Sequence, residues 1–129
     1  MILLDTHVVV WAKADVKRLS GAALHAIQQG RREGGLAISA ISVWELASLV
    51  ARGRIEARGT VQATVSLLIE GTAIQSITPE IAVLATEFPA DYPRDPADRL
   101  IGATARAHGM ALITHDIMIR RSSMLHTIW

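Results

Sequence analysis

The chain begins with Met1-Ile2-Leu3-Leu4-Asp5-Thr6-His7, a short apolar run that stops abruptly at an acidic residue. This run predicts a buried strand over Ile2–Leu4. A carboxylate just past the end of a buried parallel strand lies in the crevice where open α/β sheets bind ligands. A charge at such an edge is costly unless it is paired or bound to a cation, so we predict a functional role for Asp5. A cap on the following helix is the structural alternative.

A second predicted strand ends in the same way. Ala111–Thr114 is apolar and is followed by His115-Asp116, which repeats the pattern of Leu4-Asp5. Two strands with the same acidic ending are more than turn chemistry alone explains. Because ligand sites in open α/β sheets form at the carboxyl ends of the strands, Asp5 and Asp116 are predicted to converge there.

Around these two strands, apolar strand-like pieces alternate with helical stretches. The other predicted strands are Leu36–Ser39, Ala73–Ile77 and a short piece within Thr127–Trp129. The predicted helices run from Thr6 to about Ala12, Ser20 to about Arg32, Ser42 to Gly53, Thr60 to about Ile69, Thr78 to about Phe88 and Asp95 to Gly109. This alternation predicts a three-layer α/β/α fold with a short, mostly parallel sheet, in one domain over residues 1–129.

Two further acids lie near the start of predicted helices. Ser42 and Glu45 match the capping box, a serine followed three residues later by a glutamate, so Glu45 has a structural explanation as well as a functional one. Asp98 differs, because Asp95 already caps that helix and one capping aspartate is enough. A favourable interaction with the helix dipole is the structural alternative for Asp98.

Carboxylates that converge on one edge of a sheet need a cation. Oxygen ligands of this kind suit Mg²⁺ or Mn²⁺. Thr6 and Thr114 flank two of the acids and are candidates to hydrogen-bond a carboxylate. The sequence therefore predicts a metal site that contains Asp5, Glu45, Asp98 and Asp116.

Composition narrows the class of protein. The 129 residues are 50% hydrophobic, which is enough for a compact domain with a buried core. The sequence has no cysteine, which excludes disulfides, thiolate zinc sites and cysteine nucleophiles. No apolar run reaches the roughly 18 residues of a membrane span, and the first residues lack the pattern of a signal peptide. A cytoplasmic protein is therefore expected.

The net charge of +1 conceals an uneven distribution. If the four acids of the predicted site are set aside, thirteen basic residues face eight acidic ones, an excess of five. Such a surface attracts polyanions once a metal neutralises the acids. Ordinary solvated charge is nevertheless the simpler explanation for any single arginine. The candidates are Arg52, Arg54, Arg58, Arg94, Arg99, Arg120 and Arg121.

Histidines and tryptophans give weaker evidence. His7 and His115 adjoin the strand-end acids and are candidates to contact a phosphate or shuttle a proton. No H-x-x-x-H or H-E-x-x-H spacing supports a zinc hydrolase, and the glycine-rich loops of nucleotide-binding proteins are absent. Trp11, Trp44 and Trp129 are predicted to be core or interface residues rather than platforms for stacked bases.

The order of these segments resembles a PIN-domain nuclease of the VapC toxin type. The resemblance covers nearly the whole chain. Its most specific block is Asp95-Pro96-Ala97-Asp98-Arg99-Leu100-Ile101, whereas Asp5-Thr6-His7 is weaker alone. The other matching blocks are Ser42–Leu46, Arg52–Ile55, Ile77–Ala82, Leu112–Asp116 and the terminal Ile128-Trp129.

By this resemblance, the family's acidic quartet corresponds to Asp5, Glu45, Asp98 and Asp116, and Asp5 and Asp98 are the main ligands of Mg²⁺ or Mn²⁺. The resemblance implies an endoribonuclease that is the toxin of a type II toxin–antitoxin system and is inhibited by a cognate antitoxin. It also implies a homodimer, expected through helix faces near Trp44 and Val50. Two other classes remain open: a PIN fold that binds RNA or antitoxin but cleaves poorly, and a metal-dependent phosphatase of small phosphoesters.

Overall fold

One five-stranded sheet forms the centre of the molecule in a computed structural model that describes all residues, 1–129. The strands are β1 (Ile2–Leu4), β2 (Leu36–Ser39), β3 (Thr72–Gln75), β4 (Leu112–Ile113) and β5 (Thr127–Ile128). Neighbouring strands are parallel throughout, in the order β3-β2-β1-β4-β5. The predicted parallel sheet is confirmed, including the short strand in the tail.

Seven helices connect or follow the strands. They are α1 (Thr6–Ala14), α2 (Gly21–Arg32), α3 (Ala40–Ala51), α4 (Val61–Ile69), α5 (Pro79–Thr86), α6 (Pro96–His108) and α7 (Ile117–Arg120). A 3-10 turn over Val16–Arg18 joins α1 to α2. Asp95 is confirmed as the N-cap of α6, and the predicted starts Ser20 and Thr78 are the N-caps of α2 and α5. None of the helices combines the length and apolar character needed to cross a membrane.

Alternating side chains on the strands supply two separate cores. Leu4 of β1 and Ile113 of β4 contribute to a core shared with α1, α2, α3 and α4. Leu3 and Leu112, their neighbours in sequence, contribute to a second core shared with α5, α6 and α7. Because both faces of the sheet are covered by helices, the predicted three-layer α/β/α fold is confirmed.

The start of α3 differs from the prediction. The N-cap is Ser39, whose hydroxyl accepts a hydrogen bond from the backbone N–H of Ile41 at 3.3 Å. The predicted capping box of Ser42 and Glu45 is therefore wrong. The reason is that β2 runs into α3 without a loop, so the last strand residue provides the cap. Ser42 and Glu45 consequently lie inside the helix, and the Ser42 side chain is buried.

The order of the strands determines where a crevice opens. β1 has β2 on one side and β4 on the other, which is the change of direction at which doubly wound sheets bind ligands. The pairing of Leu4 with Ile113 places the residues that follow β1 and β4 side by side. The backbone N–H of Asp5 donates to the Ile113 carbonyl at 3.0 Å, which extends this pairing by one residue.

The first turn of α6 is held by the loop that precedes it. Phe88 and Tyr92 stack with their ring centroids 4.0 Å apart, and the Tyr92 hydroxyl donates to the backbone carbonyl of Asp98 at 3.0 Å. Gly102, one turn later, makes this approach feasible, because a Cβ there would lie 2.3 Å from the Tyr92 hydroxyl oxygen. The turn that carries the Asp98 carboxylate is therefore fixed by packing and by a hydrogen bond.

Candidate active site

All four predicted acids line one cavity at the carboxyl ends of the strands. Asp5 follows β1, Glu45 comes from the second turn of α3, Asp98 comes from the first turn of α6, and Asp116 follows β4. The cavity, here called the acid cavity, has a volume of about 430 Å³. Asp95, the N-cap of α6, also lines it. The structure thus brings the four acids together, and their individual roles remain a prediction.

Asp5 is the most buried of the four acids, with 8% of its surface exposed. Its Oδ1 caps α1 by accepting a hydrogen bond from the backbone N–H of Thr6 at 2.8 Å. Its Oδ2 accepts a hydrogen bond from the Thr114 hydroxyl at 2.7 Å. Burial raises the pKa of Asp5, and the bond from Thr114 opposes that shift. The capping role and a role in the site are compatible, because an ionised carboxylate has about four acceptor positions.

A chain of hydroxyl groups connects α1 to α3 beneath Glu45. The Thr6 hydroxyl oxygen lies 2.5 Å from Oε1 of Glu45 and 2.9 Å from the Ser42 hydroxyl. A hydroxyl has one proton, and the carboxylate is the stronger acceptor, so Thr6 donates to Glu45 and leaves its lone pairs to Ser42. Because Thr6 directly follows Asp5 in sequence, its bond to Glu45 links the positions of these two acids.

Excess negative charge is the main electrostatic feature of the cavity. Burial, followed by repulsion from Asp5 and Asp95, raises the pKa of Asp98 to about 7 from an ordinary value of 3.8. Burial also raises the pKa of Glu45, and Asp5 adds to the shift while the hydrogen bond from Thr6 opposes it. A cation placed among these groups would relieve the repulsion, because an opposite charge favours the ionised carboxylates.

Asp116 lies at the N-terminus of α7. Its Oδ1 accepts hydrogen bonds from the backbone N–H groups of Met118 at 2.9 Å and Ile119 at 3.1 Å. Since both bonds go to the same oxygen, the second carboxylate oxygen remains for another partner. Helix α7 was not part of the sequence prediction, although an aspartate before Ile117-Met118-Ile119 is a typical N-cap signal.

The donor set fits an open magnesium site better than a closed protein cage. The chain has no group of three or more histidine or acidic side chains that would by itself hold a metal ion. Mg²⁺ in phosphoryl-transfer sites commonly uses one or two carboxylates and completes its shell with water and substrate phosphate. Asp5 and Asp98 would hold such an ion, with Glu45 and Asp116 beside them in the same cavity.

Aromatic and basic side chains form another part of the cavity wall. Trp11 lies at the centre of this group, with His115 at 5.6 Å and Trp129 at 5.9 Å between ring centroids. The Arg18 guanidinium lies 4.5 Å from the centroid of the Trp11 ring. His7, the remaining member, lies 6.1 Å from Trp11. We call these five residues the aromatic–basic wall, of which all but Trp129 directly line the cavity.

Comparison with known proteins assigns the chain to a family. The family model for the PIN domain matches residues 2–123, which is nearly the whole chain. The chain belongs to the PIN domain family. This PIN domain is 42% identical over 130 residues to Ribonuclease VapC22 of Mycobacterium tuberculosis, covering 99% of this chain and 98% of that protein. The resemblance to VapC-type PIN domains is confirmed.

Solved structures share the fold of this PIN domain at low sequence identity. VapBC2 from Rickettsia felis, bound to a DNA fragment from its promoter, gives a TM-score of 0.76 at 20% identity and covers 98% of this chain and 97% of that one. DNA-bound VapBC from Salmonella typhimurium gives 0.72 at 18% identity, with coverages of 98% and 97%. FitAcB from Neisseria gonorrhoeae gives 0.68 at 20% identity, with coverages of 98% and 96%.

Two arginines of the PIN domain, Arg99 and Arg18, are placed differently from the prediction. Arg99 contacts the loop before α6, because its Nε donates to the Pro93 carbonyl at 2.9 Å and its Nη1 to the Phe88 carbonyl at 3.2 Å. Arg18, which was not among the candidates, is the arginine that lines the acid cavity. Arg18 lies in the 3-10 turn that follows α1, so helical spacing from Trp11 could not have identified it.

A second cavity adjoins the acid cavity along α3. It has a volume of about 550 Å³, shares His7 and Glu45 with the acid cavity, and is also lined by Trp44 and Arg52. Trp44 is 64% exposed, which suits the predicted interface role. The expectation that Val50 contributes to the same surface is wrong, because Val50 faces the core with only 5% of its surface exposed.

Proposed function

We propose that this PIN domain is a metal-dependent endoribonuclease and the toxin of a type II toxin–antitoxin pair. The observation that carries the proposal is the convergence of four carboxylates on one cavity at the carboxyl ends of β1 and β4. The identity of 42% with Ribonuclease VapC22 supports RNA as the substrate. The action would take place on single-stranded RNA or exposed loops in the cytoplasm.

The residues of the acid cavity suit hydrolysis of a phosphodiester. Asp5 and Asp98 would hold Mg²⁺ or Mn²⁺. When bound, the ion supplies Lewis-acid polarisation of the phosphodiester and a nucleophilic water at neutral pH. Glu45 or Asp116 would orient that water and accept its proton as the water oxygen bonds to phosphorus. The bond from phosphorus to the leaving oxygen breaks, and the leaving oxygen takes a proton from solvent. The hydrogen bonds of Thr6 and Thr114 would keep Glu45 and Asp5 in place during this step.

An antitoxin and a second copy of the chain are the proposed partners. Two structural neighbours are VapBC proteins bound to DNA. The cavity along α3 adjoins the acid cavity, so a peptide seated there would reach the acids and block RNA. The exposed Trp44 is the centre of the surface proposed for the homodimer. Co-expression with the cognate antitoxin is expected to suppress RNA cleavage, which a pull-down and a cleavage assay would check.

The direct test is cleavage of single-stranded RNA by the purified chain. Cleavage is expected with Mg²⁺ or Mn²⁺ and not with a chelator. Asp5→Asn and Asp98→Asn should each lower the rate by about 10²–10³-fold or more. Asp91→Asn is the matched control, since Asp91 is exposed and lies outside the acid cavity. RNA that is bound but left intact would instead support the binding module, and hydrolysis of a chromogenic phosphoester alone would support the phosphatase.

A further inference from the structure

Arg18 is held in place by its backbone and by its neighbour in sequence. It ends the 3-10 turn, and its backbone N–H donates to the Asp15 carbonyl at 3.0 Å. Leu19, the next residue, is partly buried against the core beneath α1 and α2. A surface arginine usually loses considerable side-chain entropy when it binds a ligand. For Arg18, the backbone is already ordered by the fold, so binding a ligand costs less entropy.

The side chain of Arg18 is positioned by stacking. Its guanidinium carbon lies 4.5 Å from the centroid of the Trp11 ring, within the range of about 6 Å that cation–π contacts require. Trp11 is 9% exposed and is itself packed edge-on against His115 and Trp129. A stacked guanidinium uses its face for the contact, so its N–H groups at the edges remain for a bidentate acceptor such as a phosphate.

The carboxylates of the cavity do not account for Arg18. The hydrogen bonds that Asp5, Glu45 and Asp116 accept come from hydroxyl and backbone N–H groups. The Arg18 guanidinium is instead in contact with the Trp11 ring. Arg18 thus lines an acidic cavity without being committed to an acidic partner inside it.

We propose that Arg18 is an RNA-binding residue of this site and that its guanidinium binds a backbone phosphate next to the one that is cleaved. This inference rests on the proposed nuclease function. The carboxylates of the cavity repel an approaching RNA strand, and a fixed cation in the same cavity offsets that repulsion at one point. Phosphate contacts set the register of a strand without reading its sequence, so Arg18 acts on RNA affinity irrespective of sequence.

The test measures binding of a fluorescent single-stranded RNA by fluorescence anisotropy over a series of salt concentrations. All variants carry Asp98→Asn, so that the RNA stays intact. Arg18→Gln should weaken binding about tenfold, as expected for one lost charge-assisted contact, and should reduce the slope of log K against log salt by about 0.7. Arg18→Lys should give a smaller loss, because it keeps the charge but not the planar fork.

Lys17→Gln is the matched control, because Lys17 is the exposed neighbour of Arg18 and does not line the cavity. Its RNA affinity should stay within about twofold of the parent. Equal losses for Lys17→Gln and Arg18→Gln would overturn the proposal, since only general surface charge would then be at work. Unchanged binding by Arg18→Gln, with an unchanged melting temperature, would overturn it too. Failure of the nuclease function itself has a different signature, intact RNA after incubation with the wild-type chain and Mg²⁺.

Discussion

Two parts of the acid cavity are built by different kinds of contact. On the carboxylate side, Asp5, Thr6 and Thr114 are buried and joined by directional hydrogen bonds. On the aromatic–basic wall, the exposed Arg18 and His115 are positioned by contacts with the Trp11 ring. Hydrogen bonds between buried groups fix atoms closely, which suits a small, hard cation. Stacking fixes a charge while leaving its donors free, which suits a flexible polyanion.

Complete hydrogen bonding on the carboxylate side strengthens this contrast. No buried side-chain nitrogen or oxygen atom in the chain lacks a hydrogen-bond partner. The bonds among Thr6, Ser42 and Glu45 span 36 and 39 residues of sequence, so they also fasten α1 to α3. A buried hydrogen-bond network with unpaired members is less stable than an apolar core. Removing one hydroxyl from this network should therefore affect both the stability of the fold and the positions of the site residues.

Thr6→Val is expected to give the largest effect among changes outside the four acids. The substitution keeps the shape of the side chain but removes its donor to Glu45 and its contact with Ser42. It should lower the free energy of unfolding by about 1–3 kcal/mol, because the buried Ser42 hydroxyl loses a partner. Metal affinity and RNA cleavage should fall by about 10–100-fold, as for other residues that orient a ligand.

Thr127→Val is the control for this change, since Thr127 lies in β5 and takes no part in the hydroxyl chain. Chemical denaturation and cleavage kinetics on both variants would check the expectation. Full cleavage activity by a stably folded Thr6→Val protein would show that the hydroxyl chain does not position Glu45, and the contrast between the two parts of the cavity would lose its basis.

A smaller effect is expected in the pH dependence of stability without metal. The ordinary pKa of Asp98 is 3.8, and that of the folded state is about 7. Because the folded chain holds this proton more tightly, the resulting stabilisation is present below about pH 4 and is lost as the pH rises to about 7. Asp98→Asn removes this dependence. Asp98 is partly exposed, so after allowance for solvent screening we expect about 1 kcal/mol, or roughly 3–5 °C in melting temperature.

Melting temperatures in chelator at pH 5.5 and pH 8 would check this expectation for the wild type, Asp98→Asn and Asp91→Asn. Asp5 and Glu45 have pKa values raised in the same direction, so the informative quantity is the difference between the wild type and Asp98→Asn. A wild type that gains stability relative to Asp98→Asn between the two pH values would contradict the raised pKa. Added Mn²⁺ should stabilise the wild type most at pH 8, because ligand binding to the folded state adds to stability.

The carboxylate side was largely predictable from sequence, because its signals are local. An apolar run that stops at an acid identified Asp5 and Asp116, and a second acid after a cap identified Asp98. The position of Glu45 in its helix was missed for a local reason too: β2 passes into α3 without a loop, so Ser39 rather than Ser42 is the cap.

The aromatic–basic wall was not predictable in the same way. Trp11, His115 and Trp129 are far apart in sequence and meet only because β1, β4 and β5 are adjacent in the sheet. Arg18 depends on the path of a 3-10 turn, which no strong sequence signal marks. Contacts of this kind follow from topology, so they become visible only when the strand order is known.

The most direct test of the metal site is a titration of the metal-free chain with Mn²⁺, in which electron paramagnetic resonance measures the free and bound ion. At pH 8 the wild type should bind Mn²⁺ saturably. At pH 5.5 the affinity should be about tenfold weaker or more, because protons compete for the carboxylates. Asp5→Asn and Asp98→Asn should lower the affinity at pH 8 by at least as much, while Asp91→Asn should not. Equal binding by all four proteins would contradict a metal site formed by the acids of this cavity.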